Sequence, residues 1–413
     1  MQDFTEKRIA LREAHAGQKT FSVLVAGDFC PREANGPYVA ENAQRITSAI
    51  QPVFESADYR VLQWETTLTT GGVPIEKTGP NLRCMPEAVA FGKALRIDLA
   101  LCANNHFGDY GDAVVIETLQ HLHDAGMATV GAGASLTEAN RPYQTSIKGV
   151  PVTFLNYCEH EFGIALDEHP GTAPLDPIGN GHAVAEATTP LRFAMLHGGH
   201  EHFAFPTRRM VQLFTHLADC GASAVWNCHT HCPGGWFIHN GSPITCSPGN
   251  FWFPTRENAL SVWSIGHLVK YHCDEQGVFA FSLIPYTFDL QGIYPLDETR
   301  AQRYFAYLDR INHVIADEAL LQRYFEAWCT QSGIGYLGAI QRFQPDTDWP
   351  PSVKQSERFS RWKSVRNLFT CESHHDLIKN TLWLIEQNRL EEARALLPEL
   401  LAFQQVDAML GQP

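Results

Sequence analysis

The sequence lacks a basic excess, because its 413 residues hold 31 Lys and Arg against 45 Asp and Glu, a net charge of −14 at pH 7. No run of Lys or Arg interrupts this acidic balance. Nucleic acids and anionic membranes attract proteins through clustered positive charge. The sequence therefore predicts neither partner, and an anionic substrate would need a bound cation or a local basic pocket.

Long apolar runs are also missing. No window approaches the roughly 18 uninterrupted apolar residues that a membrane span requires, and the N-terminal stretch MQDFTEKRIALREAHAG has no apolar signal core. The eleven cysteines are scattered without the compact spacing of a disulfide framework, which predicts reduced thiols. Together these features predict a cytoplasmic protein.

Strand and helix patterns alternate over about the first 290 residues. Phe21–Gly27, Arg60–Trp64 and Ile97–Ala103 are typical of buried strands, as are the segments VTFLNYC, LRFAMLH and ASAVWNC. Residues 112–126 have helical spacing and end at a glycine, and a second helix is predicted near 208–220. This alternation predicts an α/β sheet with a site at the carboxyl ends of its strands.

Helical patterns dominate from about residue 296 onwards. The sequence thus predicts a domain over 1–295 and a helical C-terminal extension over 296–413, with QPDTDWPPSVKQSE as a loop or linker inside the extension. SHHD, at residues 373–376, is interpreted as a helix cap. The patterns leave open whether the extension forms a lid or a homodimer interface.

Polar side chains follow five strand-like segments. They are Asp28 in AGDFC, Glu65 in QWETTLTT, Asn105 and His106 in CANNHFGDYG, His197 in LHGGHEH, and His229 and His231 in NCHTH. Singly, each has an ordinary explanation in turn chemistry. Together, carboxylate, amide and imidazole groups at one sheet edge predict a site for two divalent cations such as Zn, Mn or Fe.

These blocks, in this order and spacing, resemble the bacterial capsule-synthesis, poly-gamma-glutamate (CapA-type, PGA_cap) family, whose fold is that of the calcineurin-like metallophosphoesterases. The resemblance runs from about Val23 to Phe253. It rests on GD at 27–28, QWE with Glu65, KTGPNLR at 77–83, ANNHFGDYGDAVVIETLQHLHDAGMATVGAG at 103–133, HGGHE at 197–201, HTH at 229–231 and SPGNFWF at 247–253. It implies a four-layer α/β/β/α sandwich with a C-terminal helical appendage.

The resemblance also implies a role for each residue of the site. Asp28 and His231 would hold one metal, Asn105, His197 and His229 the other, and Glu65 would bridge them. A hydroxide held between the metals would be the nucleophile. His106 would act as general acid or hydrogen-bond donor, oriented by Asp109. The expected substrate contacts are Lys77, Arg83, Glu159, Glu161, Glu201 and Asn250.

Some positions depart from the family pattern. Cys30 stands where phosphoesterases of this fold usually carry a histidine ligand, and both ligation and a buried spectator thiol are open there. Thr230 replaces the proline of the HPH-like block, and HGGHE lacks a tryptophan. Cys228 and Cys232 are spaced CxxxC, which argues against a redox pair and favours buried thiols beside the histidines.

The leading hypothesis is a dinuclear metal-dependent hydrolase that acts on a phosphoester or a gamma-glutamyl or other amide bond. The expected substrate is a small anionic or polyglutamate-like molecule. The alternative is a non-hydrolytic accessory protein of capsule-type polymer or intermediate biosynthesis. The candidate ligands argue against a purely structural metal site, because such sites are usually closed, four-coordinate and rich in cysteine.

Overall fold

A computed structural model describes residues 4–255, 260–342 and 356–411 of the chain. The strands are β1 Lys7–Ala10, β2 Phe21–Phe29, β3 Tyr59–Trp64, β4 Thr67–Leu68, β5 Arg83–Cys84, β6 Leu99–Leu101, β7 Ala128–Val130, β8 Ala132–Gly133, β9 Tyr143–Ile147, β10 Val150–Cys158, β11 Gly171–Thr172, β12 Leu191–His197, β13 Ala224–Cys228, β14 Trp236–His239, β15 Ser242–Thr245, β16 Asn250–Trp252, β17 Ile265–Asp274, β18 Gly277–Phe288 and β19 Ile293–Pro295.

The helices alternate with these strands and then continue alone. They are α1 Arg32–Thr47, α2 Gln51–Glu55, α3 Val89–Ala94, α4 Asp112–Asp124, α5 Leu136–Ala139, α6 Pro177–Glu186, α7 Arg208–Asp219, α8 Glu298–Ala316, α9 Glu318–Trp328, α10 Ile334–Gln341, α11 Ser356–Thr370, α12 Glu372–Glu386, α13 Leu390–Arg394, α14 Leu397–Ala402 and α15 Val406–Leu410. Short 3₁₀ turns cover Pro86–Ala88 and Val262–Ser264, and a π-helical segment, Cys329–Gly333, joins α9 to α10.

Two mixed sheets form the centre of the molecule. The first has the order β1-β18-β17-β2-β3-β6-β7, and the second β14-β15-β13-β12-β10-β9. In the first, β2, β3, β6 and β7 are parallel, and in the second β10, β12, β13 and β15 are parallel. Continuous apolar runs form these inner strands because both faces of each are buried.

The two sheets pack face to face. Val25 and Val61 of the first sheet share one hydrophobic core with Phe193 and Trp226 of the second. The other face of the first sheet is covered by α1 to α4, while α7 and α8 pack on the second sheet. The predicted four-layer α/β/β/α sandwich with a C-terminal helical appendage is therefore confirmed.

The C-terminal helices share the core of the second sheet. Tyr304 and Tyr307 of α8 and Phe325 of α9 belong to the same buried cluster as Phe203 and Phe205. The predicted boundary after residue 295 falls between β19 and α8. Within the predicted linker QPDTDWPPSVKQSE, residues 344–355 lie outside the described residues, and its last two belong to α11.

The sequence-predicted elements match the observed ones closely. The strand predicted at Phe21–Gly27 extends to Phe29, and the one predicted at Ile97–Ala103 is shorter, Leu99–Leu101. The segment HNGSP contains the turn that joins β14 to β15, and β17 turns into β18 after Asp274. In the described part of the chain, none of the helices combines the length and the apolar character needed to cross a membrane.

One buried ion pair fixes the N-terminal strand to the first sheet. Asp274, at the end of β17, accepts two hydrogen bonds of 2.6 Å from the guanidinium of Arg12, just after β1. The Arg12 hydrogen bonds, against the opposing effect of burial, lower the pKa of Asp274 well below its ordinary value of 3.8. The pair therefore stabilises the fold fully above about pH 4 and loses this contribution as the pH falls towards the folded-state pKa.

We predict that Asp274→Asn lowers the free energy of unfolding at pH 7 by about 2 kcal/mol, because the bidentate charged hydrogen bonds are lost. The difference from the wild type should shrink steadily below about pH 4, where the wild-type carboxylate is also being neutralised. Urea unfolding at pH 7 and pH 3 measures both values. The exposed Asp167 gives a control, Asp167→Asn, and equal stability of the wild type and Asp274→Asn at pH 7 would contradict the prediction.

Candidate metal centre

Two buried carboxylates lie side by side where the first sheet ends. Asp28 is the penultimate residue of β2, and Glu65 directly follows β3, the parallel neighbour of β2. Both are fully buried, and Asp28 Oδ1 and the two Glu65 oxygens have no hydrogen-bond partner among the described residues. Burial and the Asp28 charge raise the pKa of Glu65 well above its usual value. Such a pair is strongly unfavourable unless cations compensate it.

Three histidines of the second sheet face these carboxylates. His197 is the last residue of β12, and His229 and His231 follow β13. His229 and His231 have φ angles of 102° and 56°, which non-glycine residues rarely adopt. This backbone strain turns both imidazoles into the site, and strain of this kind concentrates at functional sites.

One group of possible ligand atoms surrounds His197. Its Nε2 lies 3.0 Å from Asn105 Oδ1, 3.1 Å from His229 Nδ1 and 3.6 Å from Glu65 Oε1. These separations suit atoms that bind one cation at about 2.0–2.2 Å each. His197 Nδ1 contacts Cys228 Sγ at 3.2 Å, so its proton is held there and Nε2 remains the free nitrogen.

The second group surrounds His231. Its Nδ1 donates to Asn250 Oδ1 at 2.8 Å, which leaves Nε2 free, 3.8 Å from Glu65 Oε1. Asp28 Oδ2 lies 3.5 Å from the same ring. Burial lowers the pKa of His231, but Glu65 and Asp28 raise it by more, to about 10. The negative potential of these two carboxylates would attract a divalent cation to this position.

The donor set fits two divalent cations. Carboxylate and amide oxygens together with imidazole nitrogens suit zinc, manganese and iron. Glu65 lies between the His197 and His231 groups, in the position of a bridging ligand. The six residues that the sequence predicted as ligands are thus brought together, and the unpartnered oxygens give them a physical need for cations.

The cysteines beside the site are buried thiols. Burial raises the pKa of Cys232 to about 12 and that of Cys228 well above its usual value, which disfavours the reactive thiolate. Cys228 nevertheless lies within ligand distance of Asp28 and His197, a proximity that its sequence spacing did not indicate. Cys30 is buried and belongs to none of the metal-compatible groups within the described residues.

A chain of three polar residues lies beside Asn105. Asp109 Oδ2 accepts a 2.7 Å hydrogen bond from His106 Nδ1, and Asp109 Oδ1 forms an ion pair with Lys77. Lys77 Nζ also donates to the Asn105 carbonyl at 3.1 Å. Burial and the Lys77 charge lower the pKa of His106, outweighing the opposite effect of Asp109. The geometry agrees with Asp109 orienting His106.

The loop after β10 brings Glu161 against the ligands. Glu161 Oε2 accepts from Asn105 Nδ2 at 3.3 Å, and Oε1 lies 3.7 Å from His229 Nε2. Glycines allow this approach, since a Cβ on Gly108 would lie 2.6 Å from the Cα of Gly163. The loop could not come this close with larger residues at those positions.

The remaining predicted contacts occupy different environments. Glu201 is exposed and borders the cavity described next, and Asn250 supports His231 as stated above. Glu159 is buried and paired with Arg209 at 2.5 Å. Arg83 is not brought to the site: it pairs with Glu33 at 2.7 Å and lies over the Tyr110 ring.

A cavity of about 730 Å³ opens beside the ligands. Asn105, His106 and His229 line it together with residues of the C-terminal helices. The sequence patterns left open whether these helices form a lid and did not indicate which of their residues line the cavity. The cap interpretation of SHHD is wrong, because no side chain caps α12, Ser373 accepts from Arg209, and His374 lines the cavity.

Comparison with known proteins gives a family match. A model of the family described as "Bacterial capsule synthesis protein PGA_cap" matches residues 22–255, more than half of the chain. The PGA biosynthesis protein CapA of Bacillus subtilis (strain 168) is 28% identical over 257 residues, which are 59% of this chain and 65% of that protein. A probable polyglutamine synthesis accessory protein, Rv0574c of Mycobacterium tuberculosis (strain ATCC 25618 / H37Rv), is 35% identical over 86 residues, 21% of this chain and 23% of that protein.

Both relatives are matched over less than two thirds of their own length. Among solved structures, a hypothetical protein from Thermus thermophilus aligns with a TM-score of 0.41 at 12% identity, over 67% of this chain and all of that one. A 5′-nucleotidase from Candida albicans SC5314 aligns at 0.35 and 10% identity, over 61% of this chain and 48% of that one. The family match decides the assignment, and the protein belongs to the PGA_cap family of bacterial capsule synthesis proteins.

Proposed function

We propose that this protein is a dinuclear metal-dependent hydrolase that cleaves a phosphoester, or a γ-glutamyl or other amide bond, of an anionic substrate. The observation that carries the proposal is the buried pair of Asp28 and Glu65, whose unpartnered oxygens face three imidazoles. Buried charges persist in proteins when they are paired or when they coordinate metals.

Two of the proposed histidine ligands have a neighbour that orients their rings. Asp28 and His231 would hold one cation, Asn105, His197 and His229 the other, and Glu65 both. When bound, two such cations would lower the pKa of a coordinated water to near 7 and would supply positive charge for an anionic substrate. Asn250 and Cys228 hold the Nδ1 protons of His231 and His197 and so leave each Nε2 for ligation.

His106 is the proposed proton carrier. Its Nδ1–H is held by Asp109, so Nε2 is the nitrogen available in the cavity, where it can give a proton to a leaving group. Lys77 holds Asp109 and the Asn105 carbonyl together, which fixes the ring relative to the ligands. An anionic substrate beside His106 would offset the effects of burial and Lys77 that lower its pKa.

A non-hydrolytic role in polymer biosynthesis is the second candidate. It is supported by the names of the two relatives, one a PGA biosynthesis protein and one a probable accessory protein. The open cavity beside Asn105 and His229 favours catalysis instead, because a structural metal is usually enclosed by four protein ligands. Metal content and turnover distinguish the two.

We predict that Glu65→Gln reduces bound metal from about two ions per chain to one or fewer, because an amide replaces the bridging carboxylate. Turnover of p-nitrophenyl phosphate or γ-glutamyl-p-nitroanilide with Mn or Zn should fall more than about 100-fold. Metal analysis of protein purified without added metal gives the first value and steady-state assays the second.

The matched control for this experiment is Glu55→Gln, on the exposed end of α2. It should keep both metal and turnover. Two ions and full activity in Glu65→Gln would contradict the ligand assignment. A wild type that binds no metal and hydrolyses neither probe would leave the accessory role ahead.

We also predict that His106→Gln lowers kcat by about 10²–10⁴-fold, the usual contribution of general acid–base catalysis. Metal content should not change, because His106 is not among the proposed ligands. The exposed His123, on α4, provides the control variant His123→Gln. Loss of metal in parallel with activity would show instead that His106 supports the metal centre.

A further inference from the structure

Part of the cavity wall belongs to helices outside the segment that matches the family. Trp328, Gln331, Tyr336, Asn367 and His374 line it, and all lie beyond residue 255. They come from α9, the π-helical segment, α10, α11 and α12. The C-terminal extension therefore decides part of the shape and chemistry of the cavity.

Charged pairs hold α12 against the loop that follows β10, beside the proposed metal centre. Arg209 bonds Glu159 at 2.5 Å and Ser373 Oγ at 2.8 Å, and its Nε lies 3.7 Å from Asp376. Burial raises the pKa of Glu159, but Arg209, Ser373 and His229 together lower it by more, to about 2, so the pair is charged at neutral pH. Breaking a buried pair of this kind is strongly unfavourable.

A second contact joins the same loop to the start of α12. Glu372 accepts from the His160 backbone N–H at 2.8 Å and lies 2.6 Å from His160 Nδ1. Glu161, the next residue, contacts Asn105 and His229 of the proposed metal centre. The position of α12 is thus coupled to the ligands through two adjacent residues of one loop.

The π-helical segment shapes the same wall. A Cβ on Gly333 would overlap Thr381 Oγ1, so this turn packs tightly on α12. Gln331 and Ser332 of the segment line the cavity. Local π-helical turns occur often at functional sites, and this one places two polar residues on the cavity lining.

Two buried polar atoms on the cavity lining have no partner within the described ranges. They are Asn367 Oδ1 and His200 Nε2, both on residues no more than 6% exposed. An unpaired buried polar atom costs about 1–3 kcal/mol. A ligand that brings a hydroxyl or amide N–H to Asn367 would remove that cost.

We propose that the C-terminal helices restrict this site to compact substrates. The reacting anionic group would lie at the metal ligands, and a short body with a hydrogen-bond donor would contact Asn367. A cavity of about 730 Å³ is the size of a small-molecule site, for which 300–1,000 Å³ is typical. This inference rests on the proposed function and selects, within it, a small molecule over the interior of a polymer chain.

Calorimetric titration of the full-length, Mn-loaded protein tests the inference by binding alone. The compact probes are γ-glutamylglutamate and p-nitrophenyl phosphate, and their long counterparts are poly-γ-glutamate and polyphosphate of about 50 units. At least one compact probe should bind, with an affinity at least tenfold higher per unit than its polymer. Equal affinity per unit, or no binding of either compact probe, would overturn the inference.

Asn367→Leu tests the contact itself. This substitution should lower the affinity for the compact probe by about tenfold, equivalent to 1.4 kcal/mol. The metal content should not change. Asn380→Leu, on α12 and outside the cavity lining, is the matched control. An unchanged affinity in Asn367→Leu would remove this residue from the substrate site.

Glu372→Gln tests the attachment of α12, with Glu386→Gln at the other end of the helix as control. The first should reduce the preference for compact over polymeric probes at least threefold, and the second should leave it unchanged. Full preference in Glu372→Gln would contradict the role of this contact. Failure of the proposed function has a different signature, in which metal and compact probe bind but no bond is cleaved.

Discussion

The structure depends on placing two carboxylates, Asp28 and Glu65, together in the interior. Parallel strands make this unavoidable, because their carboxyl ends meet at one edge and deliver both side chains to the same place. The cost of burying them is met only if positive charge is available, and the second sheet supplies imidazoles rather than lysines or arginines. Because no lysine or arginine among the described residues of the second sheet faces the two carboxylates, the site is suited to bound metal cations.

The supporting residues act on orientation rather than on charge. Asn250 and Cys228 each hold one histidine proton, and Asp109 does the same for His106. In each case one ring nitrogen is occupied and the other is left for the site. Positive φ angles at His229 and His231 contribute in the same way, because the strained backbone directs two nearby side chains inward. The site therefore combines a rigid framework with a need for cations.

The helical extension adds what the framework lacks. Of the proposed ligands, Asn105 and His229 line the cavity, together with residues of α9 to α12. Arg209 is central to this arrangement, since its guanidinium joins Glu159 of the α/β sandwich to Ser373 and Asp376 of α12. A buried arginine suits this task because its fixed, planar donors can bond several partners at once. The cavity and the proposed metal centre are thus parts of one packed unit.

The sequence patterns by themselves indicated the strands and the six candidate ligands, while the layer order was implied by the resemblance to the PGA_cap family. Apolar runs of strand length followed by polar turns are local signals. Because the carboxyl ends of parallel strands lie at one edge of a sheet, these signals predict that the polar side chains share one site. The sequence did not determine that Arg83 would pair with Glu33 away from the site, or that Asn367 and His374 would line the same cavity as His106. The positions of Asn367 and His374 depend on how α11 and α12 dock on a loop about 200 residues earlier in the chain, and the Arg83 pair depends on the approach of α1 to β5. Only the tertiary structure decided them, because side-chain contacts between distant segments leave no periodicity or spacing in the sequence.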